Sequence, residues 1–274
     1  MADVDAPHTA PKRPTPPRPR KRRRGPGWVP DQHGAWAMLA VPLGLGIVQT
    51  GPAWVHLPLA IVWILGYLAF YATGQWLRSH RKKRWFPPVR AYVLACIPPG
   101  LAVVALRPDL LAWVPLFLPL LATSLVLHHR REDRSLLNDV VTVVAACLVL
   151  PVAHDAGLDV AAPGGWAATW VATALTAGYF IGTVPYVKTL IREKGSRAWY
   201  VGSVAFHVAL CALPWLLATT TPVPFGPVPL TIFYAMLVVR AALVPLRGAT
   251  PRQVGIGEIV ASVLLTAVVI MEVL

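Results

Sequence analysis

The feature that most constrains this chain is a succession of apolar runs, each about as long as a bilayer is thick. A helix rising 1.5 Å per residue needs about 20 apolar residues to cross roughly 30 Å of hydrocarbon. Nine stretches have that length: 33–50, 54–77, 89–106, 110–128, 136–153, 164–187, 199–219, 228–246 and 253–273. Proline and glycine punctuate them in TGPAW (50–54), RPD (107–109), GLDVAAPGG (157–165) and TTTPVPFGPVP (219–229). Such short connections make successive helices antiparallel neighbours. The predicted fold is therefore an all-α membrane protein, a nine-transmembrane-helix bundle. Composition agrees, with 56% of the 274 residues apolar and 14% charged, against about 25% charged in soluble domains.

The 25 Lys and Arg residues give the bundle an orientation. Eight precede Gly25, and six lie between Arg78 and Arg90 after span 2. Three follow span 4 (Arg130, Arg131, Arg134), four surround the end of span 6 (Lys188, Arg192, Lys194, Arg197), and three belong to the last such segment (Arg240, Arg247, Arg252). Only Arg107 falls on the other side. Cytoplasmic segments of membrane proteins carry the excess of basic residues, so the topology is N-in/C-out. Because the charges sit in clusters between spans, the net charge of +13 does not describe a nucleic-acid surface, and no nucleic acid is expected as a partner. An odd number of spans without an internal repeat argues against a duplicated transporter fold.

Residues 1–30 are a separate region, with 31–274 the membrane domain. The stretch APKRPTPPRPRKRRRGPGWVP combines proline with like-charge repulsion, which predicts a disordered cytoplasmic tail. Its attraction to anionic lipid amounts to roughly 1 kcal/mol per basic residue near the surface. No small-residue cleavage site follows the first apolar run, so a signal peptide is not expected. Cys96, Cys147 and Cys211 each lie inside an apolar run and read as packing residues rather than disulfide partners.

Polar side chains inside spans are costly and mark function by default. Gln32 and His33 stand at the inner end of span 1, with Asp31 positioned to cap it. Asn138 and Asp139 open span 5, where Asp139 either caps the helix, pairs with Arg134 or lines a cavity. His207 lies about 12 Å along span 7, with Ser203 four residues before it on the same face. Glu258 is set into span 9, one turn before Ser262, and either neutralises Arg240 or Arg252 or serves a ligand. Lys188 and Arg192 share a face in GTVPYVKTLIREKG (182–195), after Pro185 and Tyr186. They either snorkel to headgroups or hold an anion. All these positions belong to the cytoplasmic half of the spans, which suggests a wet, cytosol-facing basic cavity. Walker, dinucleotide, HExxH and GxSxG motifs are missing, and His128-His129 lacks helical ligand spacing, so neither a metal nor a cofactor is expected.

The segments DQHGAWAML, RREDRSLLNDV, GTVPYVKTLIREKG and Ser203/His207 resemble the YwiC-like family of bacterial membrane proteins. That resemblance implies a multi-pass protein of the bacterial cytoplasmic (inner) membrane and brings no particular chemistry with it. More distantly, nine N-in spans with PLGLG in the first helix are similar to the UbiA-type intramembrane prenyltransferases. Those enzymes hold an isoprenyl diphosphate through magnesium on aspartate-rich motifs after spans 2 and 6. Here the corresponding segments read YATGQWLRSHRKKR and YVKTLIREKG, so the family aspartates have no counterpart and ordinary magnesium-dependent transfer is not expected.

The sequence thus predicts a cavity binding an anionic amphipathic ligand, an isoprenoid or lipid phosphate, with room for metal-independent prenyltransferase-like chemistry. In that scheme Lys188, Arg192 and Arg134 attract the anion, with Gln32, Asn138 and Tyr186 beside it. His207 and His33 move protons, and Asp139 and Glu258 orient them. The alternatives are a proton-coupled transporter and a non-catalytic partner of a membrane complex. Ligand identity, turnover and oligomeric state are not written in the sequence.

Overall fold

The structure, a computed structural model, describes residues 27–30, 34–158 and 165–274. Asp31, Gln32, His33 and most of the tail lie outside the described residues. The helices are α1 (Gly34–Thr50), α2 (His56–Arg78), α3 (Phe86–Leu106), α4 (Val114–His129), α5 (Leu136–Cys147) and α6 (Val149–Gly157). They continue with α7 (Trp166–Ile191), α8 (Arg197–Leu210), α9 (Leu213–Thr220), α10 (Pro227–Arg247) and α11 (Pro251–Glu272). No strand occurs among the described residues. Among the described residues eight stretches are long and apolar enough to cross a membrane, and α1 is a shorter apolar helix of 17 residues.

Two of the nine predicted spans are broken. Span 5 is α5 followed by α6, and span 7 is α8 followed by α9. The cause is the same in both. Pro151 cannot donate to the carbonyl of Cys147, where α5 ends, and Pro214 cannot donate to that of Leu210, where α8 ends. The missing N–H interrupts the helical ladder one turn before each ring. Pro185, by contrast, stays inside a continuous α7.

Helix α7 is the hub of the bundle. In its apolar window 56% of residues are buried, against 11% for the span ending in α3. It reaches α1, α5, α6, α8 and α11. Small residues make that possible, since without a hydrophobic drive between helices, packing depends on close backbone approach. Thr169, Ala172, Thr173, Thr176, Gly178 and Gly182 are all buried on it. Thr169 and Thr173 return their hydroxyls to the carbonyls of Gly165 (2.8 Å) and Thr169 (2.7 Å), so neither enters the interior unsatisfied. The main core surrounds this helix with Leu45, Leu150, Leu175, Tyr234, Leu237 and Leu265. The hairpin α2–α3 is more exposed and packs chiefly on itself.

The two ends of the bundle differ in charge. The end where α1 begins also holds the 78–86, 129–136, 191–197 and 247–251 connections, and with them every described Lys and Arg except Arg107. This is the basic end of the bundle.

One contact tests the packing. A Cβ on Gly46 of α1 would lie 2.4 Å from the Leu150 carbonyl oxygen and 2.7 Å from Ala153 Cβ on α6. A Cβ on Gly44 would meet nothing within 4 Å. Gly46→Ala is expected to force α1 off α6, at about 1–3 kcal/mol for overpacking. Its thermal unfolding midpoint in detergent should fall well below that of Gly44→Ala.

Candidate functional site

The predicted polar residues fall into two separate groups, and the structure treats their cations differently. The first group joins the start of α5 to the end of α7. Ser135 caps α5 by accepting from the Asn138 N–H, which leaves Asp139 free of that role. Asp139 instead pairs with Lys188 at 2.9 Å. The Lys188 ammonium also donates to the Arg134 carbonyl at 2.9 Å and stands 5.3 Å from the Trp199 ring. Asn138 accepts from Ser124 at 2.5 Å and donates to the Asp133 carbonyl at 2.8 Å. Asp133 in turn pairs with Arg78 at 3.2 Å. Lys188 is thus buried and committed, whereas Arg192 is exposed at the C-cap of α7 and the Arg134 side chain is exposed. These three do not converge on an anion site.

The second group lies deeper, among α7, α8, α10 and α11. Arg240 and Glu258 form an ion pair at 2.5 Å, with side chains only 13% and 8% exposed. Each sits seven residues from the basic end of its helix, about 10 Å into the bundle. Glu258 Oε2 accepts from the Tyr179 hydroxyl and the Thr183 hydroxyl, both at 3.1 Å. Arg240 stacks on Tyr186, its Cζ 4.2 Å from the ring centroid, as a desolvated cation–π contact. The His207 ring approaches the same tyrosine edge-on at 6.5 Å.

Two members of this group leave hydrogen-bonding capacity unused. Glu258 engages only Nη1 of Arg240. Nε and Nη2 are buried with no hydrogen-bond partner among the described residues. These two nitrogens form one edge of the guanidinium, a fork whose parallel N–H groups match two oxygens of a carboxylate or phosphate. His207 is 0% exposed. Its Nδ1–H donates to the Ser203 carbonyl at 2.7 Å, so in the neutral tautomer Nε2 is an acceptor. That Nε2 and the Ser203 hydroxyl have no partner among the described residues.

A groove of about 570 Å³ leads to this region from the basic end. Tyr186, Arg240 and Gly257 line its deep part, with Val244, Arg247 and Gln253 toward the mouth. A second crevice of about 450 Å³, between α5, α7 and α8, is almost wholly apolar apart from Ser203. Among the described residues no three His, Cys, Asp or Glu side chains gather as a metal site.

The opposite end carries a polar network that the sequence pattern understated. Arg107 grips both carboxylate oxygens of Asp109 through Nε (2.9 Å) and Nη2 (2.6 Å), and its Nη1 donates to the Ala156 and Leu158 carbonyls. The bond to Asp109 raises the Arg107 pKa above its ordinary value. Asp155 joins Arg107 at 3.6 Å and accepts from Trp113 at 2.7 Å. Every nitrogen of Arg107 has an acceptor, and the network ties α3 to α6.

A YwiC-like protein family model matches residues 29–154. The Bacillus subtilis (strain 168) protein named Uncharacterized protein YwiC is 34% identical over 186 residues, covering 66% of this chain and 74% of that protein. The chain belongs to the YwiC-like family. A second relative in Haemophilus influenzae, named Uncharacterized protein, is 25% identical over 233 residues, covering 84% of this chain and 92% of its own length. No solved structure matches the chain. Of the two polar groups, Asn138 and Asp139 lie within the matched segment of this YwiC-like protein, and Arg240 and Glu258 lie beyond it.

Sequence reasoning counted Arg240 only as one more inward-facing positive charge or as a neutralising partner. The signal that could have promoted it is its place seven residues inside an apolar span, the criterion that selected Glu258. Tyr179 and Thr183 gave no signal of their own.

The pair also has an asymmetry that can be measured. A guanidinium cannot shed its proton, whereas a stranded carboxylate can take one up. Glu258→Leu is therefore expected to be the more damaging single change, at about 3–5 kcal/mol for a broken buried pair. Arg240→Leu should cost less, and Arg240→Leu/Glu258→Leu should recover most of the loss. Thermal unfolding of the four proteins in detergent reads this double-mutant cycle, and additive losses would show that the pair is not coupled.

Proposed function

We propose that this YwiC-like membrane protein binds an anionic amphiphile, a lipid or isoprenoid phosphate, in the groove between α10 and α11, with Arg240 as the anchoring cation. The observation that carries the reading is the buried, unpartnered Nε/Nη2 edge of Arg240. Arg107 uses the equivalent edge to grip a two-oxygen anion, so within this same protein the geometry is filled by a carboxylate. An unsatisfied charged donor away from water costs several kcal/mol, which an oxyanion would offset. Arg247 and Gln253 at the mouth suit a polar headgroup, and Val244 and Val254 suit the first carbons of a chain. Lys188, held by Asp139, has no such spare capacity.

The groove faces the cytoplasm in this reading, because the basic end is the inner one. The basic tail, residues 1–30, then lies on the same side and is drawn to anionic lipid. Impermeant maleimide applied to intact cells tests the topology on a chain with its native cysteines replaced by alanine. Thr220→Cys is expected to label and Glu132→Cys to stay unlabelled until the cells are opened. Labelling of Glu132→Cys in intact cells would reverse the orientation.

Binding is tested by thermal unfolding in detergent with dodecyl phosphate, inorganic phosphate and dodecanol. At 100 times its dissociation constant a ligand adds about 2.7 kcal/mol of stability. Dodecyl phosphate is expected to stabilise the protein strongly without magnesium, and to lose that effect in Arg240→Met. Stabilisation by inorganic phosphate alone would identify a soluble anion as the ligand. Equal stabilisation by dodecanol would show that the charge is not recognised and would overturn the proposal.

A further inference from the structure

The charge balance around Arg240 constrains how an anion can enter, an inference that rests on the binding reading above. In the structure Arg240 is neutralised by Glu258, and both are largely withdrawn from solvent. Adding an anion to the unpartnered edge of Arg240 gives two negative charges against one positive in a low-dielectric interior. That arrangement is costly, because an uncompensated charge at this depth has no water to screen it.

The surrounding groups supply one way to restore neutrality. Helix α11 packs on α1, α7 and α10. From α10 come Arg240 and, at the groove mouth, Arg247. From α7 come Tyr179 and Thr183, with Tyr186 beyond Arg240, while Lys188 is engaged by Asp139. Helix α1 carries no ionisable side chain between Gly34 and Thr50. On α11 itself Arg252 is exposed, and His207 of α8 meets the Tyr186 ring edge-on at 6.5 Å. Glu258 is the one acid in this set.

Its hydrogen-bond shell is built for two protonation states. The Tyr179 hydroxyl reaches Glu258 Oε2 at 3.1 Å and the Glu258 backbone carbonyl at 3.2 Å. The Thr183 hydroxyl likewise reaches Oε2 at 3.1 Å and the Tyr179 carbonyl at 3.2 Å. When Glu258 is a carboxylate, both hydroxyls donate to it. When it carries a proton, the Tyr179 hydroxyl can turn its hydrogen to the Glu258 carbonyl and the Thr183 hydroxyl to the Tyr179 carbonyl, and one of the two oxygens can then accept from the carboxyl O–H. Neither state strands the carboxyl group or either of these hydroxyls.

We infer that the Arg240 site takes up an anion and a proton together, the proton passing from solvent to the Glu258 carboxylate as the anion replaces it as counter-ion to Arg240. Binding and protonation are then linked. Between the pKa of Glu258 in the free protein and its higher pKa in the complex, affinity for an anion falls as pH rises, by about tenfold per pH unit for one linked proton.

The probe is octanesulfonate, whose own charge does not titrate, added to the purified full-length protein in detergent. Calorimetry in paired buffers of different ionisation enthalpy counts the protons, and titrations from mildly acidic to mildly alkaline pH give the slope. Wild type is expected to absorb about one proton per anion and to lose affinity about tenfold per pH unit. Glu258→Gln leaves Arg240 without its counter-ion, so it should bind more tightly than wild type at alkaline pH, with a flat profile. His207→Gln should keep the wild-type slope. Binding by wild type without proton uptake overturns this inference and leaves the groove reading intact, a result that needs no variant to fold. A slope kept in Glu258→Gln and lost in His207→Gln would also overturn it, by assigning the proton to the histidine. Absence of binding at every pH would overturn both readings.

Discussion

A guanidinium that cannot give up its proton, held about 10 Å from the end of a membrane-spanning bundle, sets the terms for the helices around it. Hydrocarbon offers Arg240 no hydrogen bonds, so its neighbours must. Helix α11 contributes the Glu258 carboxylate, α7 contributes the Tyr186 face, and the Tyr179 and Thr183 hydroxyls hold the carboxylate in place. These contacts fix the relative positions of α7, α10 and α11. They also leave one edge of the arginine unfilled, and the functional reading grows from that remainder.

Comparison among the cations of this molecule gives that remainder its meaning. Arg107 spends all of its nitrogens on Asp109 and two carbonyls, and so acts as a clamp between α3 and α6. Lys188 is closed by Asp139, the Arg134 carbonyl and the Trp199 ring, and so ties α5 to α7. Both have the economy of structural residues. Arg240 has a side chain only 13% exposed, against 8% for Lys188, yet keeps a two-pronged donor without an acceptor. A buried donor of that kind is expensive as architecture alone, and a ligand oxyanion is the simplest partner that removes the cost.

Much of the fold could be read from the chain, and the candidate site only in part. Runs of about 20 apolar residues and the placement of basic residues located the spans, because both are properties of local composition. The breaks at Leu148 and Cys211 trace to Pro151 and Pro214, whose missing N–H groups are also local facts. Partnership was less accessible. Asp139 could have capped α5 or met Arg134, and only the packing of α5 on α7 brought it to Lys188. Glu258 had two basic candidates in sequence, and the crossing of α10 and α11 selected Arg240. Lys188 and Arg192 share a helical face by spacing, yet one is buried and the other exposed, because Lys188 still packs against α5 while Arg192 falls at the C-cap, past the last helical residue of α7.

By itself the sequence determined that this chain makes helices, about how many cross the bilayer, and which end of the bundle is basic. Those outcomes follow from the cost of moving backbone, apolar and charged groups between water and hydrocarbon, which is summed residue by residue along the chain. The tertiary structure decided which buried charges meet, which of them are fully satisfied, and which is left with capacity to spare. That depends on distances of a few ångströms between residues as far apart as Tyr179 and Glu258. Small residues such as Gly46 and Gly182 set those distances by allowing backbones to approach. Local composition carries no record of that geometry.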